Sequence, residues 1–135
     1  LHTDQGLREE NYGRFEGHPQ QRRADALATL LPQEDITKLT PIANTVHQLD
    51  PTGEDAKTVQ LRFDKALRQI AQANAGKVMV VAHGTVILLW LAYIGYPLHG
   101  QNRLNNAGVT RVTFDGDSFH VHEFDSLAYV EAGRQ

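Results

Sequence analysis

Eight residues in the middle of the chain read Val78-Met79-Val80-Val81-Ala82-His83-Gly84-Thr85. The first five offer no polar face, which is typical of a strand covered on both sides in a parallel sheet. Residues 85–94 are apolar nearly all round, and this pattern predicts a buried helix that ends before Gly95 and Pro97. The segment therefore predicts a buried strand, a glycine turn and a helix in which Trp90 and Tyr93 serve packing.

Two further helices are expected on the N-terminal side of this unit. Apolar residues recur at three- and four-residue spacing over residues 54–73, which predicts an amphipathic helix closed by Gly76. Residues 20–31 predict a second helix stopped by Pro32, and one more short helix is possible before Asp50. The polar, glycine-containing residues 1–17 are interpreted as loop.

A hairpin is expected on the C-terminal side. Residues 109–114 and 118–124 flank Asp115-Gly116-Asp117, and an Asp-Gly pair between alternating segments signals a tight turn. Helices that alternate with a buried strand and then a hairpin predict an α/β fold, with three α/β/α layers around a mostly parallel sheet. Residues 1–135 contain no repeat or linker and are interpreted as one domain.

Composition excludes several classes of protein. The chain has 135 residues, 41% hydrophobic and 21% charged, which suits one folded domain. A net charge of −3 gives no basic field for nucleic acid or anionic lipid, so neither is an expected partner. With no cysteine and no signal-like segment, we expect a cytoplasmic protein without disulfides or thiolate metal sites.

His83 stands where the predicted strand ends and the next helix begins. Ligands of α/β sheets bind beyond the carboxyl ends of the strands, and a helix start offers free N–H groups to an anion. Gly84 would allow the backbone to approach such an anion closely. The sequence therefore predicts a phosphate or carboxylate site at His83, although a histidine that only ends a strand remains the alternative.

Four segments together resemble the histidine phosphatase superfamily, the phosphoglycerate-mutase-like enzymes. The segment from Val78 to Thr85 is similar to that family's second-histidine motif, an apolar strand that ends in Ser- or Ala-His-Gly. Leu7-Arg8-Glu9-Glu10-Asn11-Tyr12-Gly13-Arg14-Phe15-Glu16-Gly17 resembles its acidic loop. Thr52-Gly53-Glu54-Asp55 with Arg62 resembles its Gly-Glu-Ser motif, with Asp in place of Ser, and residues 105–115 resemble the segment before its last strands. The four occur in the family's order.

The resemblance implies a role for each matching residue. Glu9 corresponds to the acid that protonates the leaving oxygen, and His83 to the second histidine that contacts the phosphoryl group. Gly84 and Thr85 correspond to the backbone cradle of the phosphate, and Tyr12 to a tyrosine near the substrate in the mutase branch. The implied activity is phosphoryl transfer on a small phosphorylated substrate through a phosphohistidine, as a phosphatase or a mutase, with no cofactor.

The family's Arg-His-Gly nucleophile motif is missing from the chain. None of the seven histidines follows an arginine at the end of an apolar strand. We therefore expect the chain to be the C-terminal part of such a domain without its N-terminal βαβ unit, at least roughly 30 residues. The chain alone is then expected to be inactive. Loss of that unit would expose the edge of the strand at 78–82, which predicts a homodimer or association with a separate N-terminal segment.

Other interpretations remain open. A non-catalytic, anion-binding relative would carry the same motifs. An unrelated α/β domain could use His120 and His122, which share one strand face, as metal ligands, although two histidines fall short of the usual three or four donors. Arg22 and Arg23 could reach a phosphorylated substrate, but paired arginines on a helix are more often solvated.

Overall fold

The structure is a computed structural model that describes residues 1–135. It contains five α-helices and one two-stranded antiparallel sheet, preceded by two short 3-10 turns at Gln5–Leu7 and Gly13–Phe15. In chain order the elements are α1 (Gln20–Ala28), α2 (Leu39–Leu49), α3 (Ala56–Ala73), α4 (Gly84–Tyr93), β1 (Val109–Phe114), β2 (Phe119–Ser126) and α5 (Ala128–Gly133). None of these helices combines the length and apolarity needed to span a bilayer.

The helices follow the apolar patterns of the sequence, with ends set by local chemistry. Helix α3 begins at Ala56, two residues after the predicted start, because the Asp55 carboxylate caps it by accepting the Thr58 N–H at 2.7 Å. Helix α1 ends at Ala28, three residues short of the predicted end. The segment before Asp50 forms α2, whereas α5 was not predicted.

The predicted hairpin is confirmed. Strands β1 and β2 pair antiparallel with Phe114 opposite Phe119 and Val112 opposite Val121. The Asp115 carboxylate accepts the backbone N–H groups of Asp117 and Ser118 at 2.9 and 2.8 Å, which closes the turn.

The main core lies between α3, α4 and the inner face of the hairpin. Trp90 packs edge-on against Phe63 at 5.9 Å and Phe119 at 5.2 Å between ring centroids. Its indole N–H donates to the buried Asp64 carboxylate at 3.0 Å, so the polar atom of this large side chain is satisfied. A smaller cluster of Phe15, Leu27 and Val46 joins α1 and α2 to the second 3-10 turn.

Residues 78–82 do not form the buried strand that the sequence predicts. Residues 78–81 are exposed, with Met79 at 87% and Val81 at 76%, and no backbone–backbone hydrogen bond involves residues 77–82. The segment is no strand here because no second strand lies beside it to share a hydrogen-bonded ladder. The three-layer arrangement around a mostly parallel sheet is accordingly not seen, and the fold described is mixed α/β.

Candidate active site

Glu9 lies at the N-terminus of α4. Its Oε1 accepts the N–H of Val86 at 2.8 Å and that of Glu10 at 3.0 Å, and its Oε2 accepts the N–H of Thr85 at 3.1 Å. A carboxylate in this position satisfies helix N–H groups that have no partner within the helix and faces the positive end of the helix dipole. The acidic loop and the start of α4, 76 residues apart in the chain, thus form one site.

This contact changes which groups can cradle a phosphate. The Thr85 N–H, which the resemblance assigns to the phosphate, donates to Glu9 here. The Gly84 N–H at the first position of α4 has no partner, and a Cβ at Gly84 would meet no atom within 4 Å. His83 precedes it as the extended N-cap residue, and the residue is exposed. The Gly84 N–H without a partner and the exposed His83 therefore remain available to an anion.

Tyr12 ties the loop to α4 through side chains. Its hydroxyl lies 3.0 Å from the Thr85 Oγ1, and its ring lies 3.8 Å below the guanidinium of Arg23 on α1. Burial of the phenol raises the pKa of Tyr12 above its ordinary value of 10, so it stays neutral at physiological pH. Tyr12 can therefore act as a hydrogen-bonding wall of the site but not as a base.

These residues line a polar cavity of about 350 Å³. Glu9, Tyr12 and Thr85 contribute to its wall together with His18 and Arg23, while His83 and Gly84 lie outside it. The structure thus gathers three of the five predicted site residues in one cavity, and the other two directly precede Thr85 in the chain.

The loop that carries Glu9 is held by an ion pair to which the sequence interpretation gave no role. Arg62 on α3 donates to both carboxylate oxygens of Glu54, at 2.7 and 2.8 Å. The same guanidinium donates to the carbonyls of Gly6, Arg8 and Glu9 at 2.8 to 3.0 Å. The sequence signal that could have indicated this pair is that Glu54 and downstream Arg62 fall in one motif resembling the family's.

Glu54, the acidic partner of this ion pair, also contacts the loop directly. Besides Arg62, its carboxylate accepts Arg8 at 2.9 Å and the N–H of Asn11 at 2.9 Å. Its pKa lies below the ordinary value; burial opposes ionisation, but the hydrogen bonds from Arg62 and Asn11 outweigh it. An ionised Glu54 thereby sets the path of the loop on both sides of Glu9.

Glu10 is buried beside the site, with 2% of the residue exposed. Its Oε1 has no hydrogen-bond partner, and burial raises its pKa to about 8 despite the nearby cation of Arg23. The carboxyl is therefore mostly protonated at neutral pH. The neighbouring Glu9 carboxylate, unlike the Glu10 Oε1, is hydrogen-bonded at both oxygens, since it accepts three N–H groups.

The remaining histidines form no comparable centre. His120 pairs with Asp115 at 2.7 Å and His122 lies 2.7 Å from the Thr113 hydroxyl, both on the exposed hairpin. No group of three or more metal-ligating side chains comes together. A larger cavity of about 510 Å³ between α2 and α3 contains His47, whose Nδ1 is bonded to the Gly53 carbonyl, and none of the predicted site residues.

Comparison with known proteins gives one family. The chain matches the histidine phosphatase superfamily (branch 1) over residues 1–126, and it therefore belongs to that superfamily. Membership indicates phosphoryl-transfer chemistry through histidine in general, and it removes the unrelated metal-binding domain from consideration. No curated protein and no solved structure matches significantly.

Proposed function

We propose that this chain carries the acid and the second histidine of a site that transfers phosphoryl groups from small phosphomonoesters. The reaction would pass through a phosphohistidine in the parent protein, as a phosphatase or a phosphoglycerate-mutase-like enzyme. The observation that carries the proposal is the Glu9 carboxylate at the N-terminus of α4. It accepts the N–H of Thr85, while the N–H of Gly84, the residue after His83, has no partner.

The free donors at the start of α4 suit the equatorial oxygens of a phosphoryl group. Such a group needs positive charge and N–H donors around it, and an acid on the departing alkoxide. The Gly84 N–H and the helix dipole supply the first requirement, and the exposed His83 imidazole adds a further donor. These groups act without any bound metal.

Glu9 has one oxygen suited to the acid's role. Its Oε1 already accepts two N–H groups, whereas Oε2 accepts only that of Thr85. A carboxyl oxygen has two lone-pair sites, so Oε2 retains one on which a proton can be held and passed to a leaving oxygen. Because Oε2 belongs to a residue of the cavity wall, the leaving group is proposed to occupy the cavity.

Because the proposal places the attacking histidine on another segment, we expect the 135-residue chain to be inactive alone. Covalent catalysis requires an attacking histidine, and no histidine of this sequence stands in an Arg-His-Gly motif. A non-catalytic, anion-binding relative is the second candidate. One observation favours this second candidate: the Glu9 carboxylate accepts two N–H groups of α4 that a phosphate could otherwise use.

Turnover of an aryl phosphate by the full gene product, in the presence of a chelator, tests the proposal. We expect turnover that is lost in His83→Ala and retained in His99→Ala, a matched exposed histidine outside the site. Absence of turnover, with phosphate still bound, would support the non-catalytic relative. Robust activity of the purified 135-residue chain that depends on His83 would contradict the assignment of the nucleophile to another segment.

A further inference from the structure

The side chain of Thr85 offers a hydrogen-bond donor that the fold does not use. Its Oγ1 accepts the hydroxyl proton of Tyr12 at 3.0 Å, and this oxygen is the only acceptor that the phenol contacts. A hydroxyl has one donor and two acceptor positions, so the Thr85 hydroxyl keeps its own proton while it accepts that of Tyr12. The protein supplies no acceptor for the Thr85 proton.

The backbone of Thr85, in contrast, is already engaged. Its N–H donates to the Glu9 Oε2 at 3.1 Å, and the next N–H, that of Val86, donates to the Glu9 Oε1 at 2.8 Å. The N–H of Gly84 has no partner. One free N–H and one free hydroxyl, on consecutive residues, therefore remain at the start of α4.

Tyr12 is held in place on the other side of this hydrogen bond. Its ring lies 3.8 Å from the Arg23 guanidinium, and its backbone N–H donates to the Glu16 Oε1 at 2.7 Å. Burial raises the pKa of the phenol above 10, so the hydroxyl remains a donor at physiological pH. The phenol thus has a fixed position from which it can orient the Thr85 hydroxyl.

From this arrangement we propose that Thr85 binds the phosphoryl group through its hydroxyl, and that Tyr12 positions this hydroxyl. Because the phenol donates to Oγ1, the Thr85 proton is turned away from Tyr12 and toward the ligand, and hydrogen bonds linked in this way polarise one another. An anionic phosphoryl oxygen accepts the proton in a charge-assisted bond. The proposal rests on the proposed function, since it adds a side-chain donor to the phosphate site at His83 and Gly84.

Titration of the 135-residue chain with inorganic phosphate, followed by amide chemical shifts, tests the contribution of the hydroxyl. Thr85→Val removes the hydroxyl and should weaken phosphate binding about 10-fold, as expected for a hydrogen bond to a charged group. Thr85→Ser keeps the hydroxyl and should remain within about threefold of the wild type. Thr113→Val is the matched control, because it removes a hydroxyl that bonds His122 on the exposed hairpin, and it should leave the affinity unchanged.

A double-mutant cycle tests whether Tyr12 acts through Thr85. Tyr12→Phe keeps the ring and its contact with Arg23 but loses the hydroxyl. We expect it to weaken phosphate binding about threefold in the wild type and to cause no further loss in Thr85→Val, because coupled residues are not additive. Tyr93→Phe, at an exposed tyrosine of α4, is the control. Melting curves establish that each variant is folded; if Thr85→Val unfolds, the affinity of Tyr12→Phe relative to Tyr93→Phe decides.

The outcomes distinguish this proposal from the proposed function. If Thr85→Val binds phosphate as tightly as the wild type while the Gly84 amide still responds, the hydroxyl takes no part, and the phosphate site stands without it. An equal loss from Tyr12→Phe in both backgrounds would mean a structural role for Tyr12 and would overturn its positioning of Thr85. A wild-type chain whose Gly84 amide does not respond to phosphate would overturn this proposal together with the proposed function.

Discussion

At the scale of single residues, two adjacent glutamates have opposite environments. Glu9 accepts three N–H groups, whereas Glu10 is buried with an unbonded oxygen. The loop thus places two successive carboxyl groups in different surroundings. One carboxyl faces the start of α4 and the other is enclosed by protein.

In the parent protein, Glu9→Gln should reduce turnover in a way that depends on the leaving group. An alkoxide must be protonated as it departs, whereas nitrophenolate is stable without a proton. We expect loss of about 100-fold or more on alkyl phosphates and a much smaller loss on nitrophenyl phosphate. Steady-state kinetics on both substrates measures this, with Glu34→Gln at an exposed position outside the cavity as control. Equal losses would restrict Glu9 to orienting α4 and the loop.

Glu10 should make the free energy of unfolding depend on pH. Its folded pKa of about 8 exceeds the ordinary 4.5, so the folded protein binds this proton more tightly than the unfolded chain does. Stability from this group is therefore complete below about pH 4.5 and is lost as the pH rises through 8, at up to about 1.4 kcal/mol per pH unit. The charged groups that act on Glu10 are Arg23, Glu9, Glu54 and Arg62.

Urea unfolding at intervals from pH 5 to 8 measures this dependence. Glu10→Gln, which cannot ionise, should flatten the decline and be more stable than the wild type at pH 8. Glu131→Gln, at an exposed position on α5, should leave the decline unchanged. Parallel curves for the wild type and Glu10→Gln would show that Glu10 titrates normally.

At the scale of elements, the acidic loop depends on α3. Arg62 joins Glu54 to three loop carbonyls, and both side chains are largely shielded, with 14% and 10% exposed. Arg62→Ala would leave the Glu54 carboxylate with fewer partners in a mostly buried position, so we expect a loss of about 3 kcal/mol in the free energy of unfolding. Chemical denaturation measures it.

The exposed pair Arg111–Glu123, at 3.5 Å, offers a matched control. Arg111→Ala should cost less than about 1 kcal/mol because solvent screens that pair. Equal costs for the two arginines would mean that Arg62 does not hold the loop.

The elements could be predicted from sequence where local signals decide them. The apolar periodicity predicted α3 and α4, and the Asp-Gly turn predicted the hairpin, because these signals lie in residues close together in the chain. The strand at 78–82 could not be settled in this way, since a strand exists only when a partner supplies its ladder. Tyr93, expected to pack, is 37% exposed and lies under Lys57 at 4.7 Å.

The grouping of the candidate residues was predictable in part. Motif order named Glu9, Tyr12 and Thr85 as candidates, and the fold brings these three into one cavity. The stacking of Arg23 on Tyr12 left no sequence signal, because it depends on how α1 packs beside the loop. Nor could the sequence show that Glu9 accepts the Thr85 N–H, a contact between distant segments.

At the scale of the whole molecule, residues 78–82 remain without a partner. The exposed apolar side chains of residues 78–81 and the unbonded backbone make the segment a template for another strand. We therefore propose that the chain associates through it, either with a second copy or with a separate N-terminal segment. If a second copy binds, light scattering at micromolar concentration should show a dimer. If a separate segment binds, mass spectrometry of the same sample should reveal a second peptide.

Charge on this segment should prevent the association. The double substitution Met79→Lys and Val81→Lys should give a monomer, since lysine on an exposed edge opposes strand pairing. Leu30→Lys, at a residue 54% exposed on another surface, should have no effect. A wild-type chain that is monomeric at these concentrations and contains no second peptide would contradict the proposal.

The central claim is that the start of α4 is a phosphoryl site. A crystal structure of the chain grown from concentrated phosphate tests it most directly, because the Gly84 N–H has no hydrogen-bond partner and His83 is exposed. We predict a phosphate whose oxygens accept hydrogen bonds from the Gly84 N–H and the His83 ring. Water alone at that position, in crystals that hold phosphate elsewhere, would contradict the account.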